Sequence, residues 1–283
     1  MGIRLVTFGA LRAFASEHEI ARLLAQRSRA ALFVYLTIER RVARDAVLAM
    51  FWPESEEAAA RHALRQSLYH LRNTLGDGDW IVARGHELVV RSDVGADAIA
   101  FDEAMAGGDT ERAVRLYAGP FLDGVHLVGL ESWESWVDAC RRRYARRFRQ
   151  ACRAVLDNRL AAGDFTGAID VAERWAAPDP TDDEAQHRLI AALAAAGERI
   201  EALRQYEAYA RVLAPDGLQP LEETVRLVEQ LRERPASVGF GRSPALLGAD
   251  PLRRALALAG CTADAEAAFR KAPASTRGRT GRR

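Results

Sequence analysis

The 283-residue chain carries 40 basic and 39 acidic residues, a formal net charge of +1, with 49% hydrophobic residues. With so close a balance the overall field of the protein says nothing about nucleic acid; any basic surface has to be local. The length suggests about two domains, and aromatics at only 7% make their cores mostly aliphatic.

IRLVTF (3–8) and LRAFA (11–15) hold the β-branched and aromatic residues of short strands, with Gly9 between them. Glu17–Glu19 is expected to turn into a short third strand ending near residue 23. Apolar Ala30, Leu32, Phe33, Leu36 and Ile38 predict a buried helix over 26–39. A shorter helix is expected over 45–51, and Pro53 separates it from the next. Ser55, with Glu56 and Glu57 behind it, stands where an N-cap and first-turn acids belong. The helix it opens runs to Leu75, with Gly76 as a left-handed C-cap. WIVA and ELVV, separated by Arg84, Gly85 and His86, form a hairpin. Strands, three helices and a hairpin are the layout of a winged helix-turn-helix with an additional N-terminal sheet.

Beyond Phe101 the pattern is helical throughout. Trp133, Trp136, Val137, Cys140, Tyr144, Phe148, Ala151, Cys152 and Val155 follow three-four spacing along one long segment. Two similar units follow, AAGDFTGAIDVAERW from Ala161 and AAGERIEALRQYEAY from Ala195. Gly163 corresponds to Gly197, Ala168 to Ala202 and Ile169 to Leu203, an offset of 34 that is the period of tetratricopeptide repeats. GGDTERAVRLY, from Gly107, is a weaker echo. A last amphipathic helix spans 221–231. After Pro235 the chain is turn-rich and then basic, with one short Ala/Leu-rich helix expected over 251–260 and a disordered end.

The third helix, ARHALRQSLYHLRNTLG at 60–76, contains no Asp or Glu. At 100° per residue, Leu64, Leu68, Leu71 and Leu75 make a narrow apolar stripe. His62, Gln66, Tyr69, His70 and Asn73 lie opposite, with Arg65 to one side and Arg61 and Arg72 flanking the stripe. Such a face suits the major groove: phosphates attract Arg and repel carboxylates, and Gln, Asn, His and Arg pair with base edges. Arg84, at the hairpin tip, reaches for a minor groove or phosphate.

QRSRAALFVYLTIERRVARDAVLAMFWPESEEAAARHALRQSLYHLRNTLG resembles the winged-helix domain of the SARP/AfsR-type bacterial regulators, which is similar to the DNA-binding half of response regulators. YAGPFLDG, the Trp133–Arg141 segment and PTDDEAQ resemble the bacterial transcriptional activator domain, a tetratricopeptide-like helical array. The resemblance covers roughly residues 3–232. It implies a mainly α fold with a small β component, a winged-helix DNA-binding domain over 1–95, a helical-repeat domain over 96–234 and a tail over 235–283. It places base reading on Gln66 and His70 of a recognition helix over 58–75. Phosphate contacts fall near His62, Ser67, Tyr69 and Arg72, and Arg84 lies in the wing. It further implies a transcriptional activator of neighbouring genes, often for secondary metabolism. Double-stranded DNA is the main partner, RNA polymerase and a second copy on tandem direct repeats the further ones. The other readings are a repeat-based interaction scaffold and a shortened copy of a larger regulatory ATPase, to whose lead-in SVGFGRSPALL (237–247) bears a faint likeness.

Other chemistry finds little footing. Cys140, Cys152 and Cys261 have no disulfide or zinc spacing and fit a reducing cytoplasm. The N-terminus lacks the features of a signal peptide, no apolar run is long enough to span a bilayer, and no P-loop is present. GDGD at 76–79 is too short for a calcium loop. No enzyme activity, metal or cofactor is expected. In CRRRYARRFRQACR (140–153) the aromatic and Cys positions are core, and the arginines are expected to form solvated faces.

Overall fold

The computed structural model describes residues 2–76 and 78–233. The expected helix at 251–260, the tail and the ATPase-like phrase lie outside the described residues. The chain divides into two compact units, residues 1–151 and 152–283.

In the first unit, β1 (Ile3–Val6), β2 (Arg12–Ala15) and β3 (His18–Glu19) lead into α1 (Ala21–Leu24), α2 (Arg27–Glu39), β4 (Arg41–Ala43) and α3 (Arg44–Phe51). Then come α4 (Glu57–Leu75), β5 (Ile81–Arg84), β6 (Glu87–Val90), β7 (Val94–Ala96), α5 (Asp97–Ala106), α6 (Thr110–Leu116) and the 32-residue α7 (Glu131–Ala162), which continues into the second unit. One sheet has the order β3-β2-β1-β7 and the other β4-β6-β5. The β1–β7 pairing is parallel, with Ile3 opposite Val94, and the other strand pairings among the described residues are antiparallel. Three helices followed by a β-hairpin, behind an N-terminal sheet, make this a winged helix-turn-helix.

The central helix is α2. Every residue from Ala30 to Thr37 is buried, as a helix apolar on all sides must be. At its end Arg40 adopts φ +63, a conformation unfavourable for a residue with a Cβ. The turn is clamped: Arg40 Nη1 donates to the carbonyl oxygens of Arg91 (3.1 Å) and Val94 (2.5 Å), and its own carbonyl accepts from Val90 N–H (2.9 Å). One side chain thus ties the exit of α2 to the strand after the hairpin.

Local readings shift in four places. The N-terminal turn is Ser16–Glu17, so the third strand is already present at His18–Glu19, and residues 21–24 are helical rather than extended. Strands β4 and β7, three residues each, were not expected. Ser55 lies outside α4; the N-cap is Glu56, without a side-chain cap bond. Gly76 has φ +85 but ψ −178. It is therefore extended rather than left-handed helical, in a region essentially reserved for glycine.

The expected boundary after residue 95 does not coincide with the division between the units, because α5, α6 and the first part of α7 fold onto the winged helix. Asp97 carries this junction. Its carboxylate accepts from Thr7 N–H (2.8 Å), Thr7 Oγ1–H (2.5 Å) and Phe8 N–H (3.1 Å) as well as from Ala98 N–H (2.8 Å). Phe8 packs edge-on against Phe101 and Tyr144 at 5.5 and 5.2 Å. Tyr35 of α2 meets Trp136 of α7 at 5.1 Å, and Phe51 of α3 meets Trp133 at 5.6 Å. The Trp136 indole N–H donates to Glu39 at 2.8 Å. Sparse in the composition, the aromatics are concentrated along this seam.

In the second unit the end of α7 is followed by α8 (Phe165–Ala176), α9 (Asp183–Ala195), α10 (Arg199–Leu213) and α11 (Glu222–Glu233). The 34-residue offset becomes two helix pairs. Gly163 and Gly197, at φ +76 and +84, end the first helix of each pair with the same doubled hydrogen bond. Gly163 N–H donates to Leu160 O and Asp164 N–H to Arg159 O; Gly197 N–H donates to Ala194 O and Glu198 N–H to Leu193 O. This is the Schellman arrangement, which satisfies carbonyls that a helix end leaves free. Ala168 and Ala202 are fully buried where the paired helices close. The weaker echo shares the device: Gly108 has φ +76 and Asp109 N–H donates to Ala104 O, joining α5 to α6. Asp109 and Asp164 each cap the next helix by accepting a backbone N–H.

Candidate nucleic-acid interface

Helix α4 is held by one stripe. Ala60, Leu64, Leu71 and Leu75 are buried, whereas Leu68, expected among them, is half-buried at the stripe's edge. On the helical wheel these four span about 60°, and Ala60 takes the place assigned to Leu68. Half-exposed Ala63, Ser67 and Thr74 border the opposite edge.

The rest of α4 is exposed. His62, Gln66, Tyr69, His70 and Asn73 all face solvent, Tyr69 with 63% of its surface accessible and its ring edge-on to His70 at 5.7 Å. Arg61, Arg65 and Arg72 fall within about 40° of each other on one flank of that face. The helix therefore carries a cationic edge beside a neutral hydrogen-bonding face. Ser67 stands apart from both, half-buried next to the stripe.

The arginines differ in availability. Arg61 is ion-paired with Glu57, one turn earlier. Arg72 Nη2 donates to the Ile81 carbonyl oxygen at 3.3 Å, tying α4 to the first strand of the hairpin. Arg65 is exposed and makes neither a hydrogen bond nor an ion pair among the described residues. The same holds for Arg84, the last residue of β5, paired in register with Glu87 across a two-residue turn. That turn has φ +58 at Gly85 and no positive φ at His86, the glycine-first pattern of a tight hairpin. Behind it, Leu88 and Val90 of β6 are buried.

Two side chains that position this surface escaped the sequence reading: Arg40 and Asp97. Each has a local role visible in the sequence, a helix-end cation or a first-turn acid, and a distant partner that is not. The arginine-rich stretch of α7 also differs from expectation. Arg141 donates to the carbonyl oxygens of Phe121 (2.9 Å) and Leu122 (2.8 Å), Arg143 to Tyr144 Oη (2.8 Å), and Arg147 pairs with Asp102. These three arginines bind the protein itself, while Arg142 and Arg146 are exposed. Burial pushes the Cys140 and Cys152 thiols up to about 11 and about 12, so both stay protonated and inert at neutral pH. Among the described residues no group of three or more His, Cys, Asp or Glu could hold a metal ion, and no helix is long and apolar enough to cross a membrane.

Residues 84–232 match the family described as the bacterial transcriptional activator domain. The chain belongs to this family. The match begins in the hairpin and continues to α11, so the activator-domain region includes part of the first unit and nearly all the described second unit. The YAGPFLDG motif of the activator domain is the loop that docks the N-terminal strand. Leu122 N–H donates to Thr7 O (2.7 Å), Gly9 N–H to Pro120 O (2.9 Å) and Asp123 N–H to Gly9 O (3.0 Å). The fold is also that of EmbR from Mycobacterium tuberculosis, solved in complex with a low affinity phosphopeptide. That structure is similar with a TM-score of 0.57 at 20% identity, over 91% of this chain and 69% of EmbR. No curated protein matches the sequence closely enough to count as a relative. Family membership makes the chain a transcriptional regulator.

Proposed function

We propose that the protein is a SARP-type, sequence-specific DNA-binding regulator that inserts α4 into the major groove. The observation that carries this reading is the acid-free exposed face of α4, set on the third helix of a winged helix and followed by the hairpin. In this topology the helix preceding the wing is the one presented to DNA. Gln66 and His70 read base edges, with His62, Tyr69 and Asn73 beside them. Arg65 and Arg84 hold phosphates, and Arg61 joins them when it leaves Glu57. Arg72 serves first as the tie to the hairpin, and Ser67 has the least direct access.

In this reading residues 1–95 are the DNA-binding module and residues 96–234 the activator module. The activator module contacts RNA polymerase or a second copy of the chain on direct repeats. The protein works in the cytoplasm, without catalysis or cofactor, and activates neighbouring genes. The test is DNA footprinting on the upstream region of its own locus against random duplex at about 150 mM salt, where screening limits long-range charge effects. Protection of repeated half-sites is the expected result. Equal binding to both DNAs, or none, would leave the interaction-scaffold reading and that of a shortened copy of a larger regulatory ATPase.

A further inference from the structure

In the second unit a groove runs along α8, α9 and α10. Its floor contains Leu189 and Leu193, both buried. Asp170 and Glu173 line it from α8, and Glu198 and Glu201 from the start of α10. Arg204 and Arg211 also line it, but Arg204 is paired with Glu201 at 2.5 Å and Arg211 Nε donates to the Glu207 carbonyl oxygen at 3.1 Å. Asp170, Glu173 and Glu198 make no side-chain hydrogen bond or ion pair among the described residues. Three other carboxylates of this unit are matched: Glu184 with Arg153, Asp157 with Arg188, Asp164 with Arg159. Three unmatched carboxylates beside an apolar floor call for cations on aliphatic stems, whose methylenes cover the floor while the heads reach the acids.

The chain contains such a segment. Residues 267–283 include Arg270, Lys271, Arg277, Arg279, Arg282 and Arg283 and no acid. We propose that this basic segment docks in the groove of its own chain. Residues 234–269 supply ample reach, at up to about 3.3 Å per residue. Tethering places the segment at an effective concentration of about 1 mM, so even an intrinsic Kd of about 100 µM keeps the groove about nine-tenths occupied.

Lys271 is the sole lysine of the sequence, which makes the proposal readable by zero-length carbodiimide cross-linking of the dilute full-length protein. Peptide mass spectrometry is expected to find Lys271 joined to Asp170, Glu173 or Glu198 in the monomer fraction. The yield should fall at least about threefold in the Arg277→Ser/Arg279→Ser/Arg282→Ser variant. It should fall likewise in about 1 M salt, where the Debye length is about 3 Å. Lys271 joined evenly to carboxylates across the surface, or to the groove only in cross-linked dimers, overturns docking within one chain. So does the absence of any groove adduct, in which case protection of Lys271 from acetylation by added duplex DNA would assign the segment to phosphate instead.

Discussion

Replacing Arg65 by Ala should change the salt dependence of DNA binding by the equivalent of one phosphate contact. Four arginines surround the proposed interface, but two are engaged, Arg61 by Glu57 and Arg72 by the Ile81 carbonyl oxygen. Arg65 and Arg84 are free to meet phosphates without breaking an existing bond. Each phosphate neutralised contributes about −0.9 to the slope of log K against log salt. Two contacts give about −1.8, an affinity loss of about 12-fold between 50 and 200 mM salt from these residues. Arg65→Ala or Arg84→Ala should each lower that factor to about 3.5-fold, and the two together should abolish it. Glu57→Gln should act in the opposite direction, releasing Arg61 and steepening the slope by up to about 0.9. Arg72→Ala should chiefly lower stability, since its loss unties α4 from β5. The assay is fluorescence anisotropy on a labelled operator duplex across a salt series, with circular dichroism to confirm folding. Unchanged slopes for both Arg65→Ala and Arg84→Ala, or a larger slope change for Arg72→Ala, would refute the division into free and engaged arginines.

Gln66→Ala and His70→Ala should each relax specificity at one or two base pairs by about 1–3 kcal/mol while leaving the salt slope unchanged, as measured by competition with single-substituted operators. Asp97→Ala should destabilise the first unit by about 3–5 kcal/mol, because it removes a charged acceptor from Thr7 and Phe8, both buried; urea denaturation reads the loss, and a cost below about 1 kcal/mol would contradict the anchoring role. Gly76→Ala should cost about 1–3 kcal/mol through backbone strain alone, since a Cβ there meets nothing within 4 Å; the same denaturation assay applies. Cys140 and Cys152 should resist a thiol reagent at pH 8 in the native protein and react on unfolding. As their folded-state pKa values are raised to about 11 and about 12, the stability this reflects is complete below pH of about 8.5 and is lost as pH rises through those values.

Helices α2, α3 and α4, the hairpin and the repeats were readable because their determinants are local. A buried helix needs an apolar run, a repeat needs a glycine at positive φ between its helices, and a hairpin needs a glycine in its turn. Strands β4 and β7 had no such signal. Val94–Ala96 is extended because Ile3–Leu5 lies beside it, just over 90 residues away. The same distinction holds within the interface. The helical wheel separated the exposed face of α4 from its stripe, misjudging only Leu68, but it could not tell Arg65 from Arg72. Their surroundings along the chain are alike; only the position of the Ile81 carbonyl oxygen makes one a tie and leaves the other free. The arginines of α7 were misread for the same reason, since the Phe121 and Leu122 carbonyls that Arg141 binds lie about 20 residues earlier, on a loop with no regular secondary structure to predict.

The charge pattern of α4 differs from that of three other helices. Those helices pair exposed arginines with acids one turn away: Glu111 with Arg115 in α6, Glu201 with Arg204 in α10, Glu222 with Arg226 in α11. Each such pair stabilises a helix by about 0.2–0.5 kcal/mol. Helix α4 does this once, at Glu57–Arg61, and from residue 58 to its end has no acid at all. Positions 61 and 69, one turn either side of Arg65, are Arg and Tyr. A compositional preference for arginine does not explain the difference, because α6, α10 and α11 share that preference and still carry acids. Nor does packing, because the positions concerned are exposed. Folding alone would favour carboxylates there. In the proposed reading their absence answers to a polyanion outside the chain, against which a carboxylate costs more than an internal ion pair returns.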